Sequence, residues 1–274
     1  MFHLFLLLQQ QQQQQSPLDS NEIWHHAMIG GLEMSTSAVV VTLILELWSL
    51  DTVRQMWKQP NGKELYITAI LYNFVNHFVL GVPTYMIAAI YFCTKEDEEK
   101  KDSFEAWTSC LLQVLFILVA HSLQYYYIHK IFHEFPALYR TFHRFHHRFN
   151  THVPPSAANA VTIGEYGLAY VLPFATAALL GRVTVPALRC AIIITIVLNA
   201  VVHTPKLETW SQQWIPIFWV STADHLNHHR KLQVHYASPL FNVDNILVFL
   251  LQRRMKGTSL DRDNEGDGAE QIEE

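Results

Sequence analysis

The segment FEAWTSCLLQVLFILVAHSLQYYYIHKIFHEFPALYRTFHRFHH, residues 104–147, joins a long apolar run to a polar stretch that is rich in histidine. In the apolar part, Phe104–Ile128, the only charged residue is Glu105, close to its start. The run exceeds the ~20 residues that a helix needs to cross the hydrocarbon core of a bilayer. We therefore predict a membrane span that leads directly into a cluster of histidines.

Four further apolar runs are found along the chain, at Ala27–Leu50, Leu65–Cys93, Ala157–Leu180 and Val183–Val202. The second contains Gly81-Val82-Pro83 and is too long for one straight span, so we expect a kink or a re-entrant segment. The last two are separated only by Gly181-Arg182 and are expected to form an antiparallel helical hairpin. A soluble core built from such runs would lack the amphipathic helices needed to cover it. The sequence predicts an all-α integral membrane bundle of about four to five spans with a histidine-rich cap.

Composition and charge support the same class. Half of the chain is hydrophobic, only 16% is charged, and the net charge is −5, which fits neither a soluble domain nor a nucleic-acid binder. We predict that residues 1–20, with a glutamine tract, are disordered, that residues 21–255 form the membrane domain, and that the acidic tail 256–274 is disordered. The three cysteines are too few and too scattered for a zinc site or a disulfide framework.

Three histidine motifs, called boxes below, stand out in this sequence. The first has the form HxxxH, and the second and third have the form HxxHH; they are His129/His133, His143/His146/His147 and His225/His228/His229. On a helix, residues three and four apart share one face, so each box is expected to direct its imidazoles to one point. Eight imidazoles exceed the three or four ligands of a zinc site, which favours two metal ions. Imidazole suits Zn, Cu, Fe and Ni, so ligand chemistry leaves the element open.

The three boxes are predicted to lie on the same side of the membrane. No apolar run separates the first from the second, and two runs, an even number, separate the second from the third. Basic residues flank the boxes, and the positive-inside rule assigns them to the cytosol. These residues are Lys130, Arg140, Arg144, Arg148, Arg230 and Lys231.

The boxes, in this order, resemble the fatty acid hydroxylase superfamily, which includes sterol desaturases, sterol methyl oxidases and sphingolipid hydroxylases. The resemblance runs from about Gln124 to Ile246 and extends to Leu138-Tyr139-Arg140, Glu165-Tyr166 and His203-Thr204. It implies a non-haem di-iron centre with two Fe ions, O₂ as oxidant, and electrons from NAD(P)H through cytochrome b5 or a reductase. It also implies the endoplasmic reticulum membrane and a lipid substrate, with a sterol first and fatty-acyl or sphingoid lipids next. The lipid, the carbon that is oxidised and the oligomeric state stay open.

Further site residues are predicted around the boxes. His203 occupies a position where the family often has another active-site histidine, and His235 follows the third box by six residues; both are candidate metal ligands. A metal-bound imidazole usually donates its other N–H to a carboxylate, carbonyl or water. Asp224 is the carboxylate best placed for this in sequence, so Asp224 and His203 are the candidate catalytic residues. Glu134, Glu165 and Asp244 are the other carboxylate candidates, whereas His121 is expected to be a core histidine.

Two other function classes are considered. A metal transporter or sensor would also use histidines, but transporters place their ligands near the middle of the membrane, and these boxes lie at the ends of apolar runs. A catalytically inactive lipid-binding relative is the second alternative. A membrane zinc hydrolase would require an HExxH motif, which the sequence lacks.

Overall fold

The computed structural model describes residues 20–94, 103–237 and 239–253. In this part of the chain, five helices are long and apolar enough to cross a membrane, which confirms the predicted all-α membrane bundle. The helices, in chain order, are α1 (Ser20–Trp48), α2 (Leu50–Trp57), α3 (Gly62–Tyr91), α4 (Phe104–Glu134), α5 (Ile163–Gly181), α6 (Val185–Val202), α7 (Glu208–Trp214) and α8 (Thr222–Lys231). The spans are α1, α3, α4, α5 and α6. The two terminal segments that are predicted to be disordered, residues 1–20 and 256–274, lie outside the described residues. The exception is Ser20, where α1 begins.

The proline in the second apolar run neither ends the helix nor turns it back. A π-helical segment, Val75–Gly81, lies immediately before Val82-Pro83, and the helix then continues to Tyr91. In α5 the π-helical segment Tyr166–Val171 likewise ends just before Leu172-Pro173. Proline has no N–H and its ring clashes with the preceding turn of a regular helix, so a wider turn before it lets the span continue.

The fourth helix extends beyond the predicted run and carries the first box into the bundle. Helix α4 continues past Ile128 to Glu134, so His129 and His133 lie on its last turns. It ends there because Phe135 has extended backbone angles (φ −103°, ψ 107°), as expected for a residue that precedes proline. The next span begins later than predicted, at Ile163, after Thr162 has capped its first turn by accepting from the backbone N–H of Glu165.

Small residues bring the spans together. Helix α1 packs on the second half of α3 and on α6, and α4 packs on α5 and α6. Alanines in this core, among them Ala88, Ala177, Ala187 and Ala191, allow the backbones to approach closely. The predicted hairpin partners α5 and α6 are joined by a short turn at Arg182, which has left-handed backbone angles, but α5 packs mainly on α4, and α6 packs on α4 and α1.

The two carboxylates that interrupt the first apolar run are both paired. Glu33 forms an ion pair with Arg189 of α6. Glu46, which is buried, accepts from the hydroxyl of Tyr66 at 2.6 Å and from the backbone N–H of Ser156 at 3.0 Å. The second contact ties α1 to the chain that follows the second box, so the first span helps to position the site.

Candidate metal centre

Nine histidines, of which all but His133 are buried, gather into two clusters at one end of the bundle, where α4 ends and where α6 gives way to the cap. In each cluster, the imidazole nitrogens that face inward all lie within 4.8 Å of one another. Cluster one contains His129, His133, His143, His147 and His228. Cluster two contains His146, His203, His225 and His229. The structure thus brings together all eight box histidines and the additional candidate His203.

The two HxxHH boxes do not each point to a single site, which differs from the prediction. In the second box, His143 and His147 enter cluster one and His146 enters cluster two. In the third box, His228 enters cluster one and the other two enter cluster two. Positions i+3 and i+4 are adjacent in sequence and therefore lie about 100° apart around a helix. Each HxxHH box therefore spans both clusters and connects them.

The second box is carried by irregular turns that are held against the start of α5. His143 ends a π-helical turn, Tyr139–His143, and His146–Arg148 is a 3₁₀ turn. The carbonyl of Phe142 accepts from the hydroxyl of Thr162 at 2.9 Å. A Cβ at Gly164 would lie 2.4 Å from the Phe142 ring, so only glycine allows this close approach. The start of α5 therefore fixes the position of the second box.

Short distances between ring nitrogens define each cluster. In cluster one, the Nε2 atom of His147 lies 2.9 Å from that of His143 and 3.1 Å from that of His133. In cluster two, the Nε2 atom of His203 lies 2.9 Å from that of His225 and 3.3 Å from that of His229. The clusters are adjacent, since the ring centroids of His147 and His229 are 4.9 Å apart.

In four of the nine histidines, the contact that Nδ1 makes fixes the tautomer of the ring. In each, Nδ1 lies 2.7 Å from an oxygen that accepts a hydrogen bond, so Nδ1 carries the proton and Nε2 carries the lone pair. The pairs are His129 with the carbonyl of Tyr236, His143 with the carboxylate of Glu165, His203 with the carbonyl of Asn199 and His228 with the carbonyl of Val234. These contacts are the outer-shell partners that orient metal-bound imidazoles.

The fixed tautomers make the donor set fit a metal ion. The Nε2 atom of His129 lies 2.9 Å from that of His143 and 3.2 Å from that of His228. With Nδ1 protonated in all three neutral rings, no hydrogen stands between these nitrogens, and three lone pairs converge in a buried space. A cation placed among them turns this repulsion into attraction, and neutral imidazole nitrogen is a ligand for Fe, Zn, Cu and Ni.

Burial keeps the imidazoles in the form that binds metal. Desolvation lowers the pKa of His143, His146 and His228 well below the usual value for histidine, and the neighbouring imidazoles lower it further. The pKa of His203 is lowered to about 4, again chiefly by burial. A metal ligand must be deprotonated, so these rings need lose no proton to bind a metal at neutral pH.

Glu165 is the carboxylate that contacts a box histidine, whereas the sequence favoured Asp224. Glu165 is buried beside His143. Asp224 instead caps α8, where its side chain and that of Ser221 form a reciprocal capping box, and it also accepts from Asn242 at 3.2 Å. The aspartate precedes the third box because that box begins in the first turns of a helix that needs a cap.

The remaining candidates lie outside both clusters found in the described part of the chain. His235 has left-handed backbone angles (φ 54°), and its Nδ1 atom is 3.9 Å from Asp224. Glu134 pairs with Lys130 on the surface, and Asp244 accepts from the backbone N–H of Ala237. His121 is buried against the ring of Phe174, as expected for a core histidine.

Sequence reasoning did not find the backbone carbonyls that orient the histidines, because any residue supplies a carbonyl. Glu165 did carry a signal, since it is the only charged residue in the run Ala157–Leu180. An ionisable residue inside a membrane segment has a functional role by default, and its partner must be sought in the fold.

Comparison with protein families gives a match. A family model described as fatty acid hydroxylase matches residues 114–248, about half of the chain, and this range contains both clusters. No solved structure matches the chain.

Proposed function

Since residues 114–248 identify the chain as a member of the fatty acid hydroxylase superfamily, we propose that it is an O₂-dependent lipid monooxygenase of the hydroxylase or desaturase type. In this proposal two non-haem Fe ions are the resident metals. The observation that carries it is the pair of adjacent, buried all-imidazole clusters with converging lone pairs. When bound, such a pair of ions supplies the activation of O₂ that attack on an unactivated C–H bond requires.

The protein residues would hold, orient and shield this centre. Cluster one would hold one ion and cluster two the other, with the HxxHH boxes bridging them. Glu165 and the backbone carbonyls keep the protons on Nδ1, so that Nε2 stays available as a ligand. Eight of the nine rings are buried and His133 is half-buried. This burial would limit the access of water to the centre during the reaction.

Insertion of one oxygen atom of O₂ into a C–H bond, with release of the other as water, consumes two further electrons, which a donor would have to supply. We propose NAD(P)H as their source, with cytochrome b5 or a reductase as the donor protein. The basic residues around the boxes support a cytosolic orientation of the centre, and the resemblance supports the endoplasmic reticulum membrane.

The substrate proposed first is a sterol, with fatty-acyl and sphingoid lipids next. The domain that acts on it would be residues 21–255, which includes more than the matched range. Helices α1 and α3 precede the matched range, yet α1 packs on α6 and both pack on the turn Pro155–Asn159 that follows the second box. A lipid held between the spans would reach the centre without leaving the membrane.

The arrangement is less suited to a metal transporter. Both clusters lie at one end of the spans, on the last turns of α4 and just after α6. Transporters bind their cargo near the midplane between broken helices. An inactive relative that binds lipid would have the same fold and the same clusters, so only an activity assay distinguishes it from an enzyme.

The test is product formation in a host that supplies cytochrome b5 and its reductase, with lipids compared by mass spectrometry. Wild-type protein should give an oxidised lipid that is absent from the host alone. His146→Ala and His228→Ala, which remove one histidine from each cluster, should abolish it, and His121→Ala should retain it. Undiminished product in both cluster variants would overturn the proposal.

A further inference from the structure

A cavity lies inside the bundle, enclosed by α1, α3, α5 and α6. Along α6 its lining extends from Leu188 to Asn199, which corresponds to roughly 16 Å at the rise of an α-helix. Towards the start of α6 the lining is apolar and includes Ala88, Phe92 and Leu188. Near Asn199 the lining includes the polar side chains of His77 and Asn159, so the cavity has one polar and one apolar end.

The polar end borders the metal centre. The carbonyl of Asn199 accepts the hydrogen bond from Nδ1 of His203, one helical turn further along. Tyr166, another lining residue, directly follows Glu165, which contacts His143. The polar end therefore lies beside residues that orient ligands of both clusters.

Two buried polar atoms belonging to this lining have no hydrogen-bond partner in the described part of the chain. They are Nε2 of His77 and Nδ2 of Asn159, whose side chains are about 95% buried. The two residues lie near each other, because the side-chain amide of Asn76, which precedes His77, donates to the carbonyl of Asn159 at 3.0 Å. A buried polar group without a partner destabilises the fold, so this pair indicates a ligand that supplies oxygen.

We propose that the cavity binds a lipid whose hydroxyl or carbonyl oxygen pairs with His77 and Asn159, while its apolar body extends towards Phe92. The amide of Asn159 donates to this oxygen. The ring of His77 accepts from a hydroxyl or donates to a carbonyl, according to its tautomer.

This orientation predicts which part of the substrate is oxidised, and that prediction rests on the proposed function. The polar group of the lipid lies at the end of the cavity next to the metal centre, so the oxidised carbon is near that polar group. Oxidation at the far end of the apolar body would require the opposite orientation, with the polar group among Ala88, Phe92 and Leu188. Sterols with a ring hydroxyl and single-chain lipids with a terminal oxygen both carry one polar group at the end of an apolar body. The binding of matched lipids distinguishes them.

The experiment measures saturable binding of radiolabelled lipids to the purified full-length protein in detergent, without turnover. Two matched pairs serve as probes: cholesterol with cholest-5-ene, which lacks the hydroxyl, and 1-octadecanol with octadecane. Wild type should bind the alcohol of one pair roughly ten-fold more tightly than its hydrocarbon, as expected for a hydrogen bond in an apolar site. The pair that shows the preference identifies the lipid as a sterol or as a single-chain lipid.

His77→Phe should remove the preference and leave binding of the hydrocarbon unchanged, whereas His77→Gln should retain part of it. His121→Phe is the matched control, because His121 is also a buried histidine with an unpartnered Nε2 atom, but it does not line the cavity. Equal binding within both pairs by wild type, the absence of saturable binding of either alcohol, or an unchanged preference in His77→Phe overturns the proposal. If His77→Phe does not fold, the comparison of alcohol and hydrocarbon binding by the wild-type protein still tests the proposal. A clear preference in a protein that oxidises no lipid would support the cavity assignment and refute the proposed function.

Discussion

The Nδ1 atom of His143 lies 2.7 Å from a carboxylate oxygen of Glu165, and both side chains are buried. The two residues are 22 positions apart: His143 lies in the turns that connect α4 to α5, and Glu165 lies in the first turn of α5. A carboxylate accepts the hydrogen bond, so His143 keeps its proton on Nδ1 and presents its Nε2 lone pair to cluster one. Glu165 thus acts on the candidate metal centre through a histidine and not by direct contact.

Glu165→Gln should weaken metal binding by roughly 10–100-fold, the range typical of lost outer-shell partners. A neutral amide is a poorer acceptor and supports the ligand histidine less. Metal affinity measured by competition with a chelator checks this, with Glu134→Gln as the control, because Glu134 pairs with Lys130 on the surface. Equal affinities for Glu165→Gln and wild type would contradict the role given to this carboxylate.

His203→Ala should impair cluster two more severely than Glu165→Gln impairs cluster one. Its Nε2 atom is within 3.3 Å of those of His225 and His229, so the variant removes a nitrogen from the middle of the donor set. We expect loss of about one metal ion per chain, measured by elemental analysis, and loss of lipid oxidation. Asp224→Asn, which alters the cap of α8 and the contact with Asn242 but removes no nitrogen from either cluster, should retain both ions. Full metal content in His203→Ala would exclude His203 as a ligand.

The sequence alone predicted much of this architecture, because its signals are local. Apolar runs gave the five spans, and the spacing of the boxes gave eight of the nine clustered histidines. Helical spacing separates the two adjacent histidines of each HxxHH box, but the assignment of each histidine to a cluster was not predictable from spacing. It depends on the π-helical turn Tyr139–His143 and on contacts between residues far apart in sequence, such as His129 with His228.

The contacts that orient the histidines were harder to predict, because they too depend on how the helices pack. Asp224 seemed well placed because it adjoins a box, yet its carboxylate caps the helix that carries that box. The role of His77 could not be inferred either, since a lone histidine in an apolar run has no local partner pattern. Only the packing of four spans shows that it lines a cavity next to His203.

Metal-free protein should lose stability as the pH falls from about 7.5 to about 5.5. Burial lowers the pKa of His147, His225 and His229 well below the value near 6.5 of an exposed histidine. Below pH 6.5 the unfolded chain therefore binds protons that the folded chain excludes, and acid favours unfolding; above about pH 7.5 both states are neutral at these groups. Thermal unfolding of chelator-treated protein in detergent measures this. An unfolding temperature that stays constant or rises on acidification would be inconsistent with it.

Tags inserted at Asn150 and at the C-terminus should be accessible in sealed microsomes with the cytosolic face outward. Asn150 is exposed in the loop after the second box, and α5 and α6 return the chain to the same side. The basic residues near the boxes predict that this side is cytosolic. Protease protection of the tags checks the orientation, with a lumenal protein as the control. Opposite accessibility of the two tags would mean that α5 or α6 does not cross.

The metal content of the purified full-length protein tests the central claim most directly. Elemental analysis should find about two metal ions per chain, iron in the active form, with zinc able to replace it during overexpression. The double variant His143→Ala/His147→Ala removes ligands of cluster one, and His225→Ala/His229→Ala removes ligands of cluster two. Each should retain about one ion, because the other cluster keeps most of its nitrogens. A wild-type protein that binds at most one metal ion, with all nine histidines intact, would contradict the two-metal centre and the function proposed from it.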